Sequence, residues 1–258
     1  MKNNKRYIIL LILLFIFGLL MYLFIGKESI AQSKNKTTIL LNPNTIFKYN
    51  KNQWIKINNT TVEDYQWKKY SIFLNSKYSG DYYVWNDDSW YIFDDNKNAI
   101  NYTDNFLAIN SNFELSAKEF EVTDATNSEY IRDFLNQKGI SINTELTATE
   151  KVLVDIDNDG IDEEIYIVSN TFTLELGSET IFSYVFMIKN NEVYIMYERE
   201  EEGDVYSGCL PSINSIIDVD NDKTDEIILT CARYSAQEPI NYIYKFENKA
   251  FRKLISSE

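Results

Sequence analysis

The sequence predicts a mainly β protein with one short helix, carried behind a single hydrophobic N-terminal segment. Three observations lead there. Short runs of β-branched and aromatic residues are bounded by Asn, Asp and Ser; an acidic loop-and-strand unit at Asp155 recurs 63 residues later at Asp218; and one stretch alone shows helical spacing and stop signals. Composition agrees: of 258 residues 45% are hydrophobic and 15% aromatic, with 8 Gly and 3 Pro, which is the make-up of a chain that folds around a core. Net charge is −14, which argues against nucleic acid as a partner, because binding phosphate requires clustered Lys and Arg. Histidine is absent, so Ser-His-Asp and Cys-His catalysis and His-bearing zinc sites are excluded.

Residues 7–25 (YIILLILLFIFGLLMYLFI) carry no charge over 19 positions. A helix rising about 1.5 Å per residue crosses the hydrocarbon core in roughly 20 residues. Lys2, Lys5 and Arg6 precede the run, so the positive-inside rule predicts a cytoplasmic tail (1–6), a transmembrane signal anchor (7–25) and a C-terminal part outside the cell. Cleavage near Ala31 would instead give a secreted chain. A polar linker (26–38) follows.

Residues 39–125 form an aromatic-rich β region. Ile46–Tyr49 and Trp54–Ile57 flank the polar run 50–53, and Tyr82–Trp85 and Trp90–Phe93 flank 86–89, so each pair predicts a hairpin. From 126 to 139 Thr126 and Glu129 have capping-box spacing, Tyr130, Ile131, Phe134 and Leu135 share one face, and Gly139 supplies the stop; this predicts a short helix packed on a sheet.

The acidity is concentrated beyond residue 150: the first 150 residues hold 16 basic and 17 acidic side chains, the remainder 9 and 22. There the chain repeats itself. Val152–Val154, the loop from Asp155 to Glu163, the strand Ile165–Val168 and a hairpin turning at Asn190-Asn191 are matched by Ser215–Ile217, the loop from Asp218 to Glu226, Ile227–Leu229 and a hairpin turning near Asn248. A unit of this size does not cover its own faces and stacks on its neighbour.

Each loop places aspartates at positions 1, 3 and 5 (Asp155, Asp157, Asp159; Asp218, Asp220, Asp222), a backbone carbonyl at position 7 (Ile161; Thr224) and an acid at position 9 (Glu163; Glu226). Hard oxygens at this density suit Ca²⁺, with its 6–8 oxygen ligands, better than the smaller Mg²⁺. An EF-hand is excluded, since position 12 is Tyr166 or Leu229 rather than Glu and the flanks read as strands. The pattern resembles the FG-GAP/VCBS-type calcium loops of bacterial surface proteins and integrin α-subunit propellers. That resemblance covers roughly residues 150–258 of a repeat domain read as 126–258, and implies propeller-like blades of antiparallel strands, with these ten residues as the metal site, in a surface binding or scaffolding module. Position 6 is Gly160 in the first loop but Lys223 in the second; a non-Gly residue at positive φ costs about 1 kcal/mol, so the second site is expected to be weaker or empty.

Cys209 and Cys231 flank the second loop, and an even cysteine count in an exported chain predicts a disulfide. The cluster around Trp67, Tyr83, Trp85 and Trp90 either fills a β core or offers a stacking platform for a glycan, which is the alternative function. A carboxylate-based hydrolase is a third possibility without a specific motif, so no catalytic residue is assigned and no enzyme is expected. The partners expected are the membrane, through the N-terminal helix, and a surface protein or glycan.

Overall fold

The computed structural model describes residues 35–258, apart from 43, 58, 101–105, 142–143, 145, 172–179, 203–207 and 234–237. The anchor expected at 7–25 lies outside the described residues. Among those described, no helix is long and apolar enough to cross a membrane.

The fold is mainly β. Strands β1 (Lys36–Leu41), β2 (Thr45–Asn50), β3 (Gln53–Ile57), β4 (Lys68–Leu74), β5 (Lys77–Asn86), β6 (Trp90–Phe93), β7 (Ala99–Ile100) and β8 (Leu107–Ser111) come first, with a 3-10 helix at Asn59–Tyr65. Then follow β9 (Ser116–Ala117), β10 (Val122–Asp124), helix α1 (Glu129–Gln137), β11 (Ala148–Val154), β12 (Glu163–Ser169), β13 (Thr180–Lys189) and β14 (Glu192–Glu202). The chain ends with β15 (Cys209–Asp218), β16 (Glu226–Arg233), β17 (Ile240–Glu247) and β18 (Ala250–Ser256). They form an eight-stranded sheet ordered β3-β2-β1-β8-β4-β5-β6-β7, and two five-stranded sheets ordered β10-β11-β12-β13-β14 and β18-β17-β16-β15-β9.

Each acidic repeat is a four-stranded antiparallel meander, β11–β14 and β15–β18, with a short edge strand added from residues 116–124. The sheets stack as layers. Ile165 and Ile167 of the first repeat meet Ile216, Ile227 and Leu229 of the second in one core, while Ile217, Ile228 and Ile243 on the opposite face of the second repeat meet Ile39, Phe47 and Ile109 of the eight-stranded sheet. The second repeat therefore lies in the middle, apolar on both faces, which is why β16 and β17 read as near-continuous hydrophobic runs. No sheet closes on itself, and the N-terminal hairpins join one broad sheet rather than forming blades.

Both N-terminal hairpins form as expected, β2–β3 and β5–β6. Strand β1 starts at Lys36, inside the stretch read as linker, because the Thr37 hydroxyl donates to the carbonyl of Val219 across the layer boundary at 2.6 Å. Helix α1 buries Ile131, Phe134 and Leu135 against Tyr166, Tyr184 and Phe186 on the outer face of the first repeat. Its C-terminus ends at Gly139 (φ 76°), with the amides of Gly139 and Ile140 donating to the carbonyls of Asn136 and Leu135 in a Schellman arrangement. The capping box is not made. Ser128 is the N-cap without a side-chain cap bond, and the Thr126 hydroxyl donates to Asp124 instead, since that carboxylate stands 2.6 Å away.

Candidate functional site: two acidic loops closed by lysine

The two loops fold alike. Asn158 and Asn221 at position 4 and Gly160 and Lys223 at position 6 all have φ between 60° and 85°, so Lys223 adopts the left-handed conformation for which glycine is better suited. Position 1 organises the turn. Asp155 accepts hydrogen bonds from the amides of Asp159 and Gly160 at 3.0 Å each, and Asp218 accepts from Asn221, Asp222 and Lys223 at 2.6, 3.2 and 2.9 Å. Position 5 accepts from position 7: Asp159 from the Ile161 amide and Asp222 from that of Thr224. Position 9 closes the loop, Glu163 accepting from the Ile156 amide and Glu226 from that of Val219, both at 2.9 Å. These bonds offset the strain at Lys223.

In the first loop, carboxylate oxygens of Asp155, Asp157 and Asp159 lie within 4.8 Å of one another; in the second, those of Asp218, Asp220 and Glu226 do. Such crowding raises carboxyl pKa values or draws in a cation, and each repeat supplies one. Lys189, at the end of β13, places its ammonium 2.9 Å from Asp157, 2.7 Å from Asp159 and 2.5 Å from Glu163. Lys245 on β17 stands 3.5 Å from Asp220, 2.7 Å from Asp222 and 2.5 Å from Glu226. Neither lysine belongs to the motif. The signal that reveals them is register: Lys245 pairs directly with Glu226 across the ladder, and Lys189 follows Ile188, the partner of Glu164, so it falls opposite Glu163.

The loops differ in burial. In the first, Asp157 and Asp159 are 31% and 41% exposed, and solvent reaches the cage. Burial alone would lower the Lys189 pKa, but hydrogen bonds with Asp159, Glu163 and Asp157 outweigh it and hold it above the usual lysine value. The second loop is pressed against the eight-stranded sheet, where Asn35 donates to the carbonyl of Asp220 and Thr37 to that of Val219. Lys245 and Glu226 are 4% and 0% exposed. One ammonium does not neutralise four acids, so burial and repulsion from Asp222 and Asp218 push Asp220 from 3.8 up to about 6, Lys245 notwithstanding. Burial and the Asp220 charge likewise raise Glu226 well above its usual value. Asn158 of the first loop donates to the Lys223 carbonyl of the second at 3.2 Å, so the two cages adjoin.

In the first loop Asp155, Asp157 and Asp159 are grouped closely enough to hold a metal ion, and the Lys189 ammonium bridges Asp157, Asp159 and Glu163. In the second loop Lys245 takes the corresponding place from within, beneath the neighbouring sheet.

Cys209 and Cys231 form a disulfide between β15 and β16, wholly buried in the core between the two repeats. Of the aromatic cluster, Trp67 is 45% exposed, whereas Trp90 is 2% exposed and packs with Ile92 and Val84 on the far face of its sheet. Alternation puts Tyr83 and Trp85 on the opposite face, where Tyr91 rather than Trp90 is the cross-strand partner of Trp85.

A cavity of about 740 Å³ is lined in part by Asp81, Glu114 and Glu119. The carboxyls whose pKa burial raises, Glu150, Asp220, Asp225 and Glu226, all lie elsewhere. Comparison with protein-family models, with characterised proteins and with solved structures finds no match to this chain.

Proposed function

We propose that this is an exported, membrane-anchored β-repeat protein of the FG-GAP/VCBS type, a surface binding or scaffolding module rather than an enzyme. On this reading the first acidic loop exchanges the Lys189 ammonium for Ca²⁺. The observation that carries the proposal is the solvent-reached first loop, whose Asp155, Asp157 and Asp159 converge while Glu163 is anchored to the loop backbone. Bound calcium would supply charge neutralisation and hold the turn; the residues themselves orient the loop and join the two strands. The export and anchoring rest on the uncharged run 7–25 behind Lys2, Lys5 and Arg6.

The test is thermal unfolding of the full chain with calcium, with magnesium and with chelator. At a hundredfold excess over Kd, calcium adds about 2.7 kcal/mol, which for a domain of this size raises the midpoint by roughly 5–10 °C. Asp157→Ala abolishes the rise. Lys189→Met lowers stability in chelator and is rescued by calcium, with affinity increased about tenfold because the internal competitor is gone. Identical curves in all conditions for both the native chain and Lys189→Met would refute calcium binding and leave the loop as a lysine-closed turn.

A further inference from the structure

The eight-stranded sheet is broader than the sheet packed on it. On the shared side, Ile39, Leu41, Ile109 and Phe73 are covered by the second repeat, but the same face continues over β5 and β6 beyond that cover. There the outward residues are Tyr83, Trp85, Tyr91 and Phe93, paired Tyr83 with Phe93 and Trp85 with Tyr91. Trp67, in the turn before β4, adds its ring at 5.2 Å from Phe93, and the Trp85 and Tyr91 rings are 6.1 Å apart. None of these five belongs to a core cluster, and Trp67 and Tyr91 are 45% and 46% exposed. Lysines lie across the row: Lys97 is 5.3 Å from the Trp67 ring centre and Lys69 5.7 Å from that of Tyr83. Lys69, the cross-strand partner of Tyr83, and Asp81, two residues before Tyr83 on the same face of β5, also line the 740 Å³ cavity, which therefore adjoins the end of the row.

The chemistry of this surface selects its occupant. The rings form separate apolar patches, each bordered by a hydroxyl, an indole N–H or a charged tip, which matches sugar rings with their C–H faces and hydroxyl rims. The charged side chains of the cavity are Lys69 against Asp81, Glu114 and Glu119, an acid excess that repels polyanions. A peptide that binds by strand addition needs an open sheet edge, whereas here the backbone of β5 and β6 is already paired with β4 and β7.

We propose that the overhang binds a neutral glycan chain, with sugar rings stacked on Trp67, Trp85 and Tyr91 and hydroxyls met by Asp81 and Asn110 at the cavity. This gives a ligand class to the binding role proposed above but rests on a different surface, so the calcium response of the first loop and glycan binding fail independently. Isothermal titration of the full chain with cellohexaose and with N-acetylchitohexaose is the test, with poly(glycerol phosphate) and an aromatic-rich peptide as contrasts. At least one hexasaccharide binds saturably, in chelator as in calcium. Trp67→Ala, Trp85→Ala and Tyr91→Ala each weaken it about three- to tenfold. Val193→Ser, at an exposed position on β14, leaves binding unchanged. Circular dichroism identifies any variant that fails to fold, and Tyr91, nearly half exposed, retains the test if Trp85→Ala does. The proposal is overturned if neither hexasaccharide binds at about 5 mM. Undiminished binding in folded Trp67→Ala and Tyr91→Ala, or binding of the polyanion or the peptide alone, overturns it as well.

Discussion

Lys189 and Lys245 mark what residue-level reading of the motif left out. The alternating aspartates are visible in one dimension because they lie within nine positions of chain; the lysine that bridges them arrives from a strand 26 residues beyond Glu163 in one repeat and 19 beyond Glu226 in the other. The burial of the second cage makes its lysine the more consequential. Removing one partner of a buried ionic cluster leaves uncompensated charge, so Lys245→Met should cost about 3–5 kcal/mol in denaturant unfolding near neutral pH. Calcium does not rescue it, in contrast to Lys189→Met, because the second loop is shut beneath Asn35 and Thr37. Recovery of Lys245→Met in calcium would show the second loop to be a metal site equivalent to the first. Trp90 teaches the same lesson about parity: Trp90 and Tyr91 are adjacent and both aromatic, yet which of them faces solvent follows from strand register, a property of the sheet.

At the scale of elements, strands and turns were legible wherever local chemistry decides them. Asn190-Asn191 and Asn248-Lys249 have φ between 52° and 62°, the conformation of two-residue type I′ turns, and both hairpins turn there. The capping box failed because a competing acceptor, Asp124, belongs to a strand edge that spacing does not reveal. That same edge strand, β10, lies beside Glu150 of β11 and helps to bury it. Burial alone raises the Glu150 pKa above its usual 4.5. A carboxyl raised in the folded state binds its proton more tightly there than when unfolded, so stability is lost as pH rises through the window above 4.5. Glu150→Gln should therefore raise the thermal midpoint at about pH 7 and leave it nearly unchanged at about pH 3.5, where native and unfolded carboxyls are both protonated. An equal gain at both pH values would assign the effect to packing.

At the scale of the whole molecule, the three sheets and α1 share cores in series, each described layer packing on the next. Coupling through shared cores predicts a single cooperative transition. All four tryptophans, Trp54, Trp67, Trp85 and Trp90, belong to the N-terminal part of the chain, so fluorescence reports that part alone while far-ultraviolet circular dichroism reports every sheet. The two urea curves should coincide. Separate midpoints would mean that the eight-stranded sheet unfolds independently of the repeats. The sequence by itself determined the β class, the paired loops, the turns and the disulfide partners, because each depends on residues close in the chain or on the only two cysteines present. Which lysine closes each loop, which repeat lies buried in the middle and which aromatics remain exposed were decided only by tertiary structure. Those properties depend on strand register and on the relative widths of stacked sheets, and neither leaves a local pattern in the chain.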